Sequence, residues 1–92
     1  SDPLNAYINK ELIFASAKTS NVEEAATICR KVFSECPDKT YNPENAFQVL
    51  QQYYLAKDIE KFNAWFKETK SYLFQDERFK KIATEMKDSL SK

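Results

Sequence analysis

The side chains that most often carry enzyme chemistry are sparse in this chain of 92 residues. Histidine is absent, so the usual general base near neutral pH is missing. Glycine is absent as well, so a glycine-rich phosphate-binding loop cannot form. The paired acids Glu23-Glu24 and Asp76-Glu77 fall in predicted first turns of helices, where carboxylates stabilise the helix dipole. We therefore predict that the protein is not an enzyme.

The two cysteines, Cys29 and Cys36, predict neither a metal site nor a disulfide. Seven residues along one helix separate them by about 10 Å, more than the ~7 Å that a disulfide allows between Cα atoms. Two cysteines without histidine also fall short of a zinc set. Cys29 lies on an apolar helix face and is predicted to be a core residue, whereas Cys36 is at a helix end where it could be exposed. We expect no cofactor and a reducing, intracellular location, the cytoplasm or alternatively a mitochondrion.

The charge is balanced, with 14 basic and 14 acidic residues spread along the whole chain. Phosphate binding usually needs a basic surplus on one face, so this balance argues against a nucleic-acid partner. No apolar run approaches the ~20 residues of a membrane span, and no signal peptide is visible. We expect the partner to be another protein or a peptide, and not a membrane.

The composition favours one small all-α domain over residues 1–92, although the chain could be a fragment of a longer protein. A chain of this length buries only a thin core, and an aromatic share of 14% supplies large side chains for it. The lack of glycine disfavours the tight turns and bulges of a β-rich fold. About five helices account for the spacing of the apolar residues.

The first two helices have clear start and stop signals. Asp2-Pro3 predicts an N-cap followed by proline at the first helical position, and this helix should end near Thr19. Asn21 should cap the second helix, with Glu24 completing a capping box, and Pro37 should end it. The apolar face predicted for the first helix consists of Leu4, Ile8, Leu12 and Ala15.

The last three helices begin at similar signals. Asn42-Pro43, like Asp2-Pro3, predicts an N-cap followed by proline at the first helical position. Asp58 and Asp76 are the predicted caps of the fourth and fifth helices. The third helix carries apolar residues on two adjoining faces, Phe47, Leu50 and Tyr54 beside Ala46, Val49 and Tyr53. The fourth carries the stripe Ile59, Phe62, Phe66, Thr69 and Leu73, with Trp65 on its flank. The fifth carries Phe79, Ile82, Ala83, Met86 and Leu90.

Short connections between helices one and two, and between three and four, predict two antiparallel hairpins followed by a final helix. The hairpins look like copies of one unit. A shift of 37 positions aligns the predicted caps Asn21 and Asp58, and it aligns the apolar residues Leu12 and Ile13 with Val49 and Leu50. A helical-hairpin period near this length is typical of solenoids.

Residues 12–38, LIFASAKTSNVEEAATICRKVFSECPD, resemble a unit of the tetratricopeptide and pentatricopeptide repeat families. The resemblance depends on Leu12 and Ile13 in the first helix, Ala25 in the second and Pro37 at the end. The second copy, residues 49–76, departs from the pattern, because Phe62 replaces the usual small alanine. The resemblance implies a short right-handed solenoid of two stacked hairpins with a C-terminal capping helix.

The resemblance also implies that the first helix of each hairpin lines an inner surface that holds peptides, helices or partner domains. The candidate partner-binding residues are Lys10, Phe14, Lys18, Gln51 and Tyr54. Phe14 lies off the predicted stripe, and an exposed aromatic residue is a common interface anchor. The alternatives are structural: Phe14 could pack under the preceding chain or against the third helix, Tyr54 could be core, and the lysines could be solvated charges.

We therefore predict a non-catalytic protein–protein interaction or scaffold module that binds a partner peptide or helix through its first and third helices. Phe14 and Gln51 stand where tetratricopeptide domains that clamp a peptide carboxylate would offer asparagine, so such a clamp is disfavoured. One alternative is an RNA-binding segment of a pentatricopeptide-type array. Another is a self-associating assembly domain that forms a homo-oligomer through the fifth helix.

Overall fold

The computed structural model describes residues 5–19 and 21–91, and within these it contains five α-helices and no strand. The all-α prediction with five helices is therefore confirmed. The helices are α1 (Ala6–Lys18), α2 (Val22–Glu35), α3 (Asn42–Leu55), α4 (Ile59–Leu73) and α5 (Glu77–Leu90). No helix in the described ranges has both the length and the apolar character needed to cross a bilayer.

The predicted caps of the last two helices are confirmed. The Asp58 carboxylate accepts a hydrogen bond from the backbone N–H of Lys61 at 3.1 Å, and Asp76 accepts one from the N–H of Arg78 at 2.9 Å. Asn21 precedes α2 as predicted, but its side chain does not accept from the first turn. Its amide instead donates to the Glu24 carboxylate, so the predicted capping box is replaced by a side-chain pair.

Two predicted helix starts need correction. Asp2-Pro3 lies outside the described residues, and α1 begins at Ala6 behind Asn5, whose side chain accepts from the N–H of Ile8 at 2.9 Å. Asn42 is not a cap but the first residue of α3, and Tyr41 precedes the helix. The Asn42 side chain is buried, at the start of a helix that contacts all four others.

Helix α3 is the centre of the fold and contacts all four other helices. The remaining contacts join α1 to α2 and α4 to α5. The chain therefore folds as two hairpins, α1–α2 and α3–α4, with α5 packed on the second. This pattern explains why α3 carries the largest set of buried residues, Asn42, Asn45, Ala46, Phe47, Val49, Leu50 and Tyr53.

The two hairpins bury their residues in the same register. Ile13 and Leu50, which are 37 positions apart, are both fully buried, and so are Ala25 and Phe62. The predicted stripe of α4 is also buried, except that Ile59 at its first turn is exposed. Trp65, predicted on the flank, belongs to the core, and its ring N–H donates to the Ala46 carbonyl at 2.9 Å.

The face predicted for α1 is wrong. Ile8 and Leu12 are exposed, and the helix instead buries Ala6, Ile13, Ser16 and Ala17. Apolar residues occur around most of this helix, so their spacing alone does not select one face. The face is selected by α2 and α3, which pack on the side of Ile13.

The stripe of α5 is mostly confirmed. Ala83 is buried, and Phe79, Met86 and Leu90 pack against the core, while Ile82 is exposed. The Phe79 ring stacks on Phe47 of α3 with centroids 5.0 Å apart. Helix α5 therefore covers the open side of the second hairpin.

Neither cysteine forms a disulfide, and both side chains lie within the core. The prediction for Cys29 is confirmed, and burial raises the pKa of its thiol to about 12. Cys36 is buried rather than exposed, because the residue that follows α2 belongs to the core cluster.

Candidate partner-binding groove between the first and third helices

A groove of about 240 Å³ runs between α1 and α3 and is lined by Lys10, Glu11, Phe14, Glu44 and Gln48. We call it the α1–α3 groove. Residues 10, 14 and 18 of α1 are four apart and so fall on one side of the helix. That side adjoins the turns of α3 that carry Glu44, Gln48 and Gln51.

Lys10 is held at one end of the groove by aromatic rings and by a carboxylate. Its ammonium lies 4.7 Å from the centroid of the Tyr7 ring and 5.1 Å from that of Tyr41. The two rings meet edge to face at 6.3 Å. The Lys10 Nζ atom is also 3.9 Å from Glu44 Oε2 on α3. Lys10 is therefore fixed in place, in contrast to a freely solvated surface charge.

Lys18 bridges the two helices at the other end. Its ammonium donates to the Gln51 Oε1 atom at 3.3 Å and lies 5.3 Å from the centroid of the Phe14 ring. These contacts keep Lys18 beside Phe14 and place its charge next to an apolar surface. Three of the predicted residues therefore form one contiguous unit across the helix pair: Phe14, Lys18 and Gln51.

Phe14 is the main apolar feature of the groove, and 46% of its surface is exposed. The structural alternative, in which Phe14 packs fully against α3, does not apply. A half-exposed ring beside a groove offers apolar contact area to a partner without local unfolding of the protein.

The polar lining carries both signs of charge. Glu11 and Glu44 supply carboxylates and Lys10 supplies an ammonium. The Glu11 carboxylate hydrogen-bonds to the Tyr7 hydroxyl and raises the pKa of that phenol, since it favours the neutral form. The Gln48 side-chain oxygen is buried and has no hydrogen-bond partner among the described residues. A rotation of this amide toward the groove would offer an acceptor to a bound N–H group.

Tyr54, the fifth predicted residue, lies apart from the groove. Its ring is 6.2 Å from that of Phe62 on α4, and its hydroxyl donates to Ser89 Oγ of α5 at 3.3 Å. It lines a different pocket of about 350 Å³ together with Leu55, Lys57, Ile59, Ser89 and Leu90. Tyr54 therefore joins α3 to α4 and α5.

Three residues of the groove, Glu11, Glu44 and Gln48, are not among the predicted partner-binding residues. The 37-residue shift contains a signal for two of them, because it aligns Glu11 with Gln48 just as it aligns Phe14 with Gln51. The remaining residue, Glu44, aligns with Tyr7. Glu11 and Gln48 lie three residues before Phe14 and Gln51, so helical spacing places each pair on one side of its helix.

Other chemistry has little support in the described part of the chain. No group of three or more acidic or cysteine residues there could hold a metal ion. The raised pKa of Cys29 keeps this thiol protonated and so opposes a role as nucleophile. No protein-family model, no characterised protein and no solved structure matches this chain.

Proposed function

We propose that the protein is a non-catalytic interaction module that holds a peptide segment of a partner protein in the α1–α3 groove. The observation that carries this proposal is Phe14, which stays half exposed beside a depression while Lys10 and Lys18 are held on either side of it. An aromatic anchor with ordered polar neighbours is the common composition of an interface centre. The resemblance to tetratricopeptide repeats supports the same helix face.

The lining indicates what the peptide should contain. Phe14 favours an apolar side chain at the centre of the segment. Glu44 and Glu11 favour a basic residue on one flank. The Gln48 amide can pair with a peptide N–H or C=O. We therefore expect a segment with one large apolar residue next to an arginine or lysine.

An RNA partner is the weaker alternative. Two carboxylates and one ammonium line the groove, and that ammonium is already close to Glu44. Phosphates would be repelled by such a lining. Self-association through α5 is also weakened, because Phe79, Met86 and Leu90 already pack against the core of the same chain.

The test is a selection of displayed peptides of random sequence on the wild-type protein, followed by affinity measurements on variants. Peptides that bind the groove should lose about tenfold or more in affinity when Phe14 is replaced by alanine. They should lose several-fold on Glu44→Gln if the basic flank is present. The matched control is Leu55→Ala, since Leu55 is exposed and lies outside the groove.

Thermal unfolding should be nearly unchanged in Phe14→Ala, which separates a binding defect from a folding defect. If the selected peptides bind Phe14→Ala and Glu44→Gln as well as wild type, the groove is not the binding site. A single-stranded oligouridine probe tests the alternative. Tight binding to it that weakens steeply with salt would favour RNA and overturn the proposal.

A further inference from the structure

The repeat register relates α1, α3 and α5 to one another position by position. A shift of 37 takes Ile8 to Asn45 and then to Ile82, and it takes Leu12 to Val49 and then to Met86. These positions therefore mark the same face on three successive helices. We call this face the stacking face.

The stacking face is fully covered on α3 and partly covered on α5, the two helices that a hairpin precedes. On α3, which packs on the α1–α2 hairpin, Asn45 and Val49 are buried and the Asn45 carbonyl accepts from the Cys29 thiol of α2 at 3.5 Å. On α5, which packs on the α3–α4 hairpin, Met86 is partly buried against the core, whereas Ile82 is 40% exposed. On α1 the same face is open, with Ile8 and Leu12 exposed by 49% and 47%.

The outer surface of α5, at the opposite end of the stack from α1, has a different composition. Phe47 and Tyr54 of α3 face α5, as the Phe47–Phe79 stacking and the Tyr54–Ser89 hydrogen bond show. The equivalent positions on α5 are Thr84 and Ser91, which are polar and exposed. The outer surface of α5 is further lined by Glu77, Lys80, Lys81, Thr84 and Glu85. A polar outer surface is what terminates a stack of repeats, so one end of this fold is sealed and the other is not.

We infer that the stacking face of α1 binds a pair of antiparallel helices of a partner protein, which offer an apolar groove like the one that α1 and α2 offer to α3. The inference follows from continuity with the interface through which α3 packs on the first hairpin, where the positions equivalent to Ile8 and Leu12 are buried. A second copy stacked head to tail does not fit, because its α5 surface is polar where an apolar groove is needed. This surface is separate from the α1–α3 groove, so its test is independent of the proposed function.

The test uses a helix pair that already packs against a following helix in this fold, namely α1 and α2. A copy of residues 5–41 is placed directly before Asn5, which keeps the 37-residue register and lets the added hairpin receive α1 as the natural one receives α3. We expect a single urea-unfolding transition with a higher midpoint than that of the parent chain. The methyl groups of the original Ile8 and Leu12 should move to NMR shifts typical of buried side chains.

A substitution makes the test specific. Leu12→Lys at the original position should leave the midpoint of the parent unchanged, because Leu12 is exposed there, and should lower the midpoint of the extended chain. Ile59→Lys is the matched control, since Ile59 is similarly exposed on α4, and it should have the same effect in both chains. Separate unfolding of the added hairpin, or an equal effect of Leu12→Lys in both chains, would overturn the inference.

A second measurement concerns the parent chain alone. Sedimentation over a wide range of concentrations should give the mass of the monomer, 10.8 kDa. A dimer that Leu12→Lys converts to monomer would mean that a second copy covers this face, and the inference of a partner helix pair would then be wrong.

Discussion

Arg30 of α2 and Glu68 of α4 form a two-point ion pair that joins the two hairpins. Arg30 Nε lies 2.7 Å from Glu68 Oε2, and Nη2 lies 3.0 Å from Oε1. The guanidinium also lies 5.2 Å from the Trp65 ring centroid. The hydrogen bonds lower the pKa of the Glu68 carboxyl and raise that of Arg30. A planar guanidinium that donates two hydrogen bonds to one carboxylate orders both side chains.

Removal of this pair should cost a modest amount of stability. Because both side chains are about half exposed, we expect Glu68→Gln to lower the free energy of unfolding by about 0.5–1 kcal/mol at neutral pH. Since the folded pKa of Glu68 is below its unfolded value, the contribution is complete above the unfolded pKa and is lost as the pH falls through the folded pKa. Urea unfolding at neutral and acid pH measures both effects.

The exposed Glu85 of α5 provides a control, since Glu85→Gln should have little effect at either pH. A difference between wild type and Glu68→Gln that persists at a pH below the folded pKa would contradict an electrostatic origin.

Asp76 should titrate far below a normal aspartate. Side-chain hydrogen bonds from Arg78 lower its pKa from 3.8 to about 2, and the backbone N–H groups of Arg78 and Phe79 contribute. The carboxylate therefore stabilises the fold above about pH 4, and this contribution is lost as the pH falls toward 2. Carbon NMR of the carboxyl group measures the pKa directly.

In Arg78→Gln the pKa of Asp76 should rise only part of the way to 3.8, because the backbone cap bonds at the start of α5 remain. An ordinary pKa in the wild type would mean that the cap and the Arg78 contacts are not formed in solution.

Replacing Asn45 with leucine should stabilise the protein. The Asn45 side chain is 1% exposed, and neither its oxygen nor its nitrogen has a hydrogen-bond partner among the described residues. A buried amide without partners is costly, and leucine has nearly the same shape. We expect a gain of about 1–2 kcal/mol in the free energy of unfolding, measured by urea denaturation.

Gln51→Leu, in which the replaced amide is partly exposed and bonded to Lys18, is the comparison and should give no such gain. A clear loss of stability in Asn45→Leu would show that the amide is hydrogen-bonded in solution.

Lys57 occupies a backbone conformation in which glycine should make the folded protein more stable. It lies between α3 and α4 with φ of 58°, in the left-handed region that costs a residue with a side chain about 1 kcal/mol. The turn is closed by hydrogen bonds from the N–H of Lys57 to the Tyr54 carbonyl and from the N–H of Asp58 to the Tyr53 carbonyl. Lys57→Gly should raise the free energy of unfolding by about 0.5–1 kcal/mol.

Lys67, exposed in the middle of α4, is the matched control. Lys67→Gly should lower stability by about 1 kcal/mol, because glycine is a poor helix former. Thermal melts of the two variants should therefore shift in opposite directions, and a loss in both would contradict the left-handed conformation at Lys57.

Local signals were enough to predict the number of helices and most of their ends. Asp58 and Asp76 cap the helices that they were expected to cap, and Pro37 follows the end of α2. Such signals act within a few residues of the chain, so they do not depend on the rest of the fold. Asn42 failed as a cap because packing of its side chain outweighed this local preference.

The candidate site was predictable in part. Phe14, Lys18 and Gln51 were expected on one surface and do lie together, because the 37-residue repeat puts first-helix residues in equivalent places. Tyr54, the other candidate of the third helix, does not lie beside them, since a helical repeat gives the angle of a residue around its helix but not the residues that it contacts. Its neighbours are Phe62 and Ser89, which come from helices further along the chain.

The amino-acid sequence by itself determined that the chain is helical, where most of its helices begin and end, and which residues of the two hairpins correspond. The tertiary structure alone decided which face of α1 is buried and which polar residues of α3 lose contact with water. The physical reason is that capping and spacing are local free energies, whereas burial depends on what packs against each face. On α1 apolar residues surround the helix, so only the positions of α2 and α3 select Ile13 for the core and leave Ile8 and Leu12 exposed.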